Sequence, residues 1–216
     1  MSTPDENLPL FPGWAGPSEA TPFFHETLAR KAGYALVAGV DEAGRGPLAG
    51  PVVASAVIIP QGIDLEGVRD SKMMTEGARE KAFSVIQRTA LSTGIGVVSH
   101  RDVDTFNILR ASLEAMRRAV LALDPKPDFL LVDGIHSISV NIPQRCLKKG
   151  DQVSRSISAA SVLAKVYRDR IMRSYHAMYP VYGFVKNKGY GTWAHLEALR
   201  RFGPCPVHRM TFRGVC

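Results

Sequence analysis

Apolar residues in this chain follow two rhythms. Continuous β-branched runs closed by an acid or a glycine alternate with stretches where apolar positions recur every three or four residues. The organising stretch is residues 35–59, ALVAGVDEAGRGPLAGPVVASAVII. It reads as a strand running into Asp41 and Glu42, a tight Gly/Pro loop from Gly44 to Pro51, and a second strand to Ile59. Before it, Phe23 to Lys31 predicts a short amphipathic helix with Phe24, Leu28 and Phe23 inward, ended by Gly33. After a loop over Asp64–Ser71, Thr75 caps a helix to Ala90 whose inward face is Ala78, Ala82, Val85, Ile86 and Thr89. Thr93–Ser99 is a short strand that its glycines weaken.

Further along, Leu109, Leu113, Met116, Val120 and Leu123 form one apolar stripe, predicting a single helix over Arg101–Leu123 capped by Asp102 or Asp104. DFLLVD, Asp128–Asp133, has the continuous apolar character of a buried central strand and again delivers a carboxylate at its exit. Arg145–Lys149 predicts a short strand. Ser154–Met178 predicts a long helix with Ile157, Ala160, Ala164, Tyr167 and Ile171 on one face, its small residues allowing close packing on the sheet. A glycine-rich turn, Gly183–Gly191, precedes a last helix over Thr192–Phe202. Consecutive strands followed by alternating helices and strands predict an α/β fold, a mixed sheet covered by helices. Residues 1–22, with five prolines, read as a disordered tail; 23–216 read as one domain whose C-terminal part, from about 180, is helical.

Composition narrows the class. The apolar fraction of 45% is that of a globular protein, and no apolar run reaches the length of a membrane span. No secretory signal precedes the domain, and Cys146, Cys205 and Cys216 form no CxxC pair. A reduced, cytoplasmic monomer with neither disulfides nor a thiolate zinc site is the expectation. Charge adds a partner: Arg145–Arg213 carries 14 Lys/Arg against 3 Asp/Glu, within a net charge of +7. Such asymmetry predicts a basic face for a polyanion.

The loop after Asp41–Glu42 excludes a dinucleotide site, because Pro47 and Pro51 prevent a helix from opening there. Carboxylates at strand exits beside a loop exposing backbone N–H groups point to metal-dependent phosphate chemistry instead. Asp41, Glu42, Asp133 and Asp151 are the candidate hard-oxygen ligands, and Mg²⁺ or Mn²⁺ the matching ions. Each acid alone reads equally as an exposed strand end or, for Asp151, a helix N-cap. Neighbouring side chains on a strand point to opposite faces, so Asp41 and Glu42 serve together only if the strand breaks, which Gly44 permits. Neither HExxH nor GxSxG is present. His136, His176, His195 and His208 read as ordinary surface or core residues. Lys165 and Asp169, four apart, read as an ion pair on a helix surface.

GVDEAGRGPLAGPVVASAVI closely resembles the opening motif of the bacterial ribonuclease HII family. The resemblance continues through DSK (Asp70–Lys72), LLVDG (Leu130–Gly134), KKGD (Lys148–Asp151), SAASVLAKVYRD (Ser158–Asp169) and NKGYGT (Asn187–Thr192), covering roughly Tyr34 to Phe212. It implies a ribonuclease H-like five-stranded mixed sheet, the first three strands antiparallel and the later ones parallel to the first. It also implies hydrolysis of the RNA strand of RNA–DNA hybrids and incision at single ribonucleotides in duplex DNA, giving 5′-phosphate and 3′-hydroxyl ends. The four acids would then hold metal, with Asp41 bridging. Gly44, Arg45 and Gly46 would sense the 2′-hydroxyl, and Tyr190 would read the RNA-to-DNA junction. Arg45, Lys72, Lys186 and Lys188 would hold phosphates. Two readings compete: a junction resolvase or integrase with acids on a similar sheet, and a basic hybrid-binding module whose acids merely meet water.

Overall fold

The computed structural model describes residues 23–63, 65, 67, 71 and 74–215. The expected tail over 1–22, as well as Asp70 and Lys72, lie outside the described residues. Along the chain come α1 (Phe24–Lys31), β1 (Val37–Ala43), β2 (Val52–Ile58), α2 (Glu76–Thr89) and β3 (Ser92–Val98). Then follow α3 (His100–Phe106), α4 (Ile108–Leu121), β4 (Phe129–Asp133), β5 (Gln144–Leu147) and α5 (Gly150–Val153). The long helix α6 (Arg155–Met178) leads into a 3₁₀ turn at Pro180–Tyr182, then α7 (Phe184–Asn187) and α8 (Trp193–Phe202).

The strands form one sheet in the order β3-β2-β1-β4-β5. β1 pairs antiparallel with β2, and β2 with β3, whereas β4 runs parallel to both β1 and β5. This is the mixed five-stranded arrangement expected. The parallel register sets Val40 opposite Val132, so Asp41 and Asp133 leave the sheet at the same end. Helix α6 covers one face, over β1 and β2, and α4 covers the other, over β2 and β3.

Packing differs from the periodicity in several places. The stripe over 101–123 is not one helix: Asn107, at φ 74°, breaks it into α3 and α4. Ser99 rather than Asp102 or Asp104 is the N-cap, with Asp102 completing a capping box. Asp104 instead accepts the amides of Met210 and Thr211 at 2.8 and 3.1 Å. The face α4 presents to the sheet is Ala111, Ala115 and Ala119 as much as its long side chains. The cause lies in β3, where a methyl on Gly94 or Gly96 would sit 2.0 Å from the carbonyl oxygens of Ala119 and Ala115. These glycines admit the helix rather than weaken the strand.

In α1 the buried residues are His25, Glu26 and Ala29, not Phe24 and Leu28. The Glu26 carboxylate accepts from the Ser156 amide at 2.9 Å and from the Ser154 and Ser156 hydroxyls at 2.7 and 2.6 Å. A carboxylate suits the positive end of α6. The first part of helix α6, Ser156–Ala164, is buried all round, because α2 packs on the side away from the sheet. The C-terminal elements gather Met172, Tyr182, Phe184, Leu199 and Val207 into a separate apolar cluster, and Leu48 and Ala49 of the Gly/Pro loop are part of it. That cluster moors the loop beside the sheet end.

Candidate active site

Asp41 is 4% exposed, yet its carboxylate sits among other acids. One oxygen accepts the Glu42 amide at 2.7 Å, and Ser161 of α6 donates to the same group. Burial, then the nearby charges of Glu42 and Asp133, push the Asp41 carboxyl well above the usual range. Asp133 is fixed by the Gly150 amide, which donates to its Oδ1 at 2.6 Å. Asp41, Glu42 and Asp133 border one cavity of about 230 Å³, together with Arg45, Tyr190 and Lys165. A recess of about 670 Å³ at the opposite end of the sheet is lined by Phe23, Arg30 and Gln61, with no carboxylate among the described residues that border it.

Strand β1 does not break between the two acids. It runs through Ala43, with Asp41 opposite Ser55 and Glu42 opposite Ala54. Alternation is obeyed: Asp41 meets Ser161 of α6, while Glu42 also borders a second cavity beside Leu109 and Met116 of α4. Both acids reach the site because it lies over the rim of the sheet, where its two faces meet. Asp151 is buried in the first turn of α5, next to the Gly150 amide that holds Asp133, and lines neither of these two cavities.

The donors fit a hard divalent cation. Three carboxylates crowd one polar recess, and the buried one is strained toward protonation by its neighbours, which a cation would relieve. Among the described residues no three acidic, imidazole or thiol groups stand close enough to close a cage alone.

The Gly44–Gly46 loop faces this recess. Gly44 has φ +100°, and a methyl there would lie 2.1 Å from Nε of Arg168, so only glycine fits. A methyl on Gly46 would lie 3.5 Å from Cε1 of Tyr190, which places the tyrosine ring directly across from the loop. Tyr190 is 48% exposed. Arg45 is half-exposed and 3.4 Å from Glu42. Lys186 is exposed on α7, whereas the Lys188 ammonium is largely covered and 3.8 Å from Glu76. The expected site residues that meet at the cavity are therefore Asp41, Glu42, Gly44, Arg45, Gly46, Asp133 and Tyr190.

Sequence reasoning missed the groups behind the loop. Arg168 is buried and donates to the carbonyls of Pro51, Ala49 and Lys188 at 3.0, 3.1 and 2.9 Å. Arg209, also buried, donates to Gly50, Arg45 and Gly44 at 3.0, 2.9 and 2.6 Å. Burial lowers these guanidiniums to about 10 and about 9, so both remain charged at neutral pH. Part of the basic excess is thus interior scaffold rather than surface. Lys165 pairs with Asp169 at 2.5 Å as expected, but the pair is not on the helix surface: Asp169 is buried and Lys165 lines the cavity. The available signal for Arg168 was its position, four residues after Ala164 on the inward stripe of α6.

Comparison with known proteins gives the family. The sequence model of ribonuclease HII matches residues 38–215. Ribonuclease HII of Geotalea daltonii is 56% identical over 190 residues, 88% of each chain. That of Syntrophotalea carbinolica is 53% identical over 208 residues, 96% of this chain and 98% of its own. Among solved structures, ribonuclease H2 of Pyrococcus horikoshii superposes with a TM-score of 0.72 at 27% identity, covering 84% of this chain and 95% of that one. The ribonuclease HII of Archaeoglobus fulgidus, solved in complex with PCNA, gives 0.72 at 26% identity over 83% and 96%. The chain belongs to the ribonuclease HII family and is an endonuclease of the ribonuclease H type.

Proposed function

We propose that this protein hydrolyses the RNA strand of RNA–DNA hybrids and cuts on the 5′ side of single ribonucleotides in duplex DNA, serving ribonucleotide removal. Asp41, Glu42, Asp133 and Asp151 would hold Mg²⁺ or Mn²⁺. Held there, a pair of such ions would supply an activated water and neutralise charge on the leaving oxygen, for a reaction whose products carry 5′-phosphate and 3′-hydroxyl ends.

The observation that carries the reading is the opposition of Gly46 and Tyr190 across the cavity that the acids line. Only the 2′-hydroxyl separates ribose from deoxyribose, and a loop of glycines lets backbone approach a sugar closely. Tyr190 supplies the facing ring, half in solvent, ready to stack on the neighbouring sugar. Arg45, steadied by Glu42, presents a guanidinium to the adjoining phosphate. The Ser161 hydroxyl and the Gly150 amide hold Asp41 and Asp133 in place. The buried charges of Arg168 and Arg209 add a positive field behind the loop.

Tyr190→Ala tests the reading. Its kcat/KM on a duplex with one ribonucleotide is expected to fall by about tenfold or more, the worth of one stacking and hydrogen-bonding contact. Its melting temperature should stay close to wild type, because the ring is half-exposed. An unchanged rate would remove Tyr190 from recognition.

A further inference from the structure

The C-terminal cluster buries two histidines whose rings touch. His195 is fully buried and His208 is 2% exposed. Nδ1 of His195 lies 2.8 Å from the Tyr190 carbonyl, and its Nε2 lies 3.0 Å from Nε2 of His208. On the far side, the Cys205 amide donates to Nδ1 of His208 at 2.9 Å.

The shortest contacts order the protons; the Cys205 carbonyl and Sγ lie farther from Nδ1 of His208, each at 3.2 Å. A carbonyl only accepts, so His195 carries its proton on Nδ1 and offers a lone pair at Nε2. His208 must then donate from Nε2, leaving its Nδ1 bare for the Cys205 amide. The result is a one-way chain, from Cys205 N–H through His208 and His195 to the Tyr190 carbonyl. A proton added to either ring would set two N–H groups against each other. The groups facing the pair are Tyr182 and Phe184 on the aromatic side, Cys205, and His100 of α3, with Arg209 beginning the next residue. Burial holds both rings neutral, His208 down to about 4.

The adjacent residue completes the connection. Arg209 donates to the Gly44 and Arg45 carbonyls, so the dipeptide His208–Arg209 is linked to Tyr190 through His195 by one side chain and reaches the glycine loop by the other. Ala49 of the loop also pairs with His208 along the backbone. We propose that His195 and His208 are positioning residues for ribose recognition, setting the Tyr190 turn at its spacing from the Gly44–Gly46 loop. This rests on the reading of Tyr190 and that loop as the ribose readers.

Two substitutions separate positioning from bulk packing. His195→Asn keeps an N–H where Nδ1 stood and so keeps the bond to Tyr190. His195→Gln keeps a polar atom near His208 and loses that bond. On the single-ribonucleotide duplex, His195→Gln is expected to lose about tenfold in kcat/KM and His195→Asn less than about threefold. Equal losses in the two, alongside an impaired Tyr190→Ala, would overturn the inference alone. Wild-type cleavage by Tyr190→Ala would overturn the ribose reading and the inference with it. Should both His195 variants fail to fold, ¹⁵N spectra of the wild-type protein near about pH 6 decide. Neutral rings protonated at Nδ1 of His195 and Nε2 of His208 support the chain, and a cation or the opposite tautomers overturn it.

Discussion

Asp41→Asn is expected to lower cleavage by about 10³-fold or more, the worth of a ligand that stabilises several kcal/mol of developing charge. The same change is expected to raise the melting temperature of the metal-free protein by about 3 °C, from on the order of 1 kcal/mol. Both follow from one fact. Asp41 is buried beside Glu42 and Asp133, and burial and those charges hold its carboxyl above the ordinary 3.8. The folded state therefore binds the proton more tightly than the unfolded chain does. Stability from this group is lost as pH rises from the unfolded value through the folded one, so above the unfolded value the carboxyl is a cost whether it ionises or keeps its proton. Asparagine removes that cost, so the gain should be present at neutral pH and vanish below about pH 4. Millimolar Mg²⁺ should raise the melting temperature of wild type more than that of Asp41→Asn. Asp133→Asn, which keeps an oxygen for the Gly150 amide, should also fold, bind duplex and fail to cut. Thermal melts with and without Mg²⁺ check this. An Asp41→Asn protein that melts lower than wild type without metal would show that the acid is there for the fold.

The second large effect lies behind the loop. Arg168→Ala is expected to destabilise the protein by about 4 kcal/mol and lower its melting temperature by about 10 °C. The substitution leaves the carbonyls of Ala49, Pro51 and Lys188 buried without their donors and opens a void under Gly44. Arg168→Lys should recover only part of the loss, because one ammonium cannot reproduce a planar fork that reaches three carbonyls in different directions. The arginine also ties the Gly/Pro loop to the Lys188 backbone two residues before Tyr190. Any folded Arg168→Lys protein should therefore cut ribonucleotide substrates more weakly than wild type. Denaturant titration of the three proteins measures the first effect. An alanine variant within about 1 kcal/mol of wild type would mean the loop is held elsewhere.

Much of this architecture was legible in the chain. The continuous run Phe129–Val132 announced a buried central strand, and it and the strand before Asp41 each announced an acid at its exit. That the two strands run parallel, so that the acids meet, was implied by the family resemblance and is what the sheet shows. The glycines around Arg45 and Tyr190 marked two close-fitting segments that the fold brings together. What stayed hidden depends on partners distant in sequence. Arg168 has no evident role until the carbonyls at 49 and 51 are known to surround it, 119 and 117 residues away. His195 and His208 look like isolated core residues until α8 and the segment after it fold together. The kink at Asn107 and the alanine face of α4 were lost to a leucine stripe that periodicity favoured. Tertiary packing, through the bare backbone of Gly94 and Gly96, overrode it. The opposed directions of Asp41 and Glu42 looked like a conflict because a strand was considered by its faces and not by its end.

The central claim is that the acids and the ribose-reading elements act on one substrate at one site. It is tested most directly with an end-labelled DNA duplex carrying a single ribonucleotide, incubated with Mg²⁺ or with Mn²⁺ beside an all-DNA duplex of the same sequence. The account predicts one cut, on the 5′ side of the ribonucleotide, abolished by chelator and absent from the all-DNA control. Cutting of both duplexes, or tight binding without any cut in either metal, would contradict it.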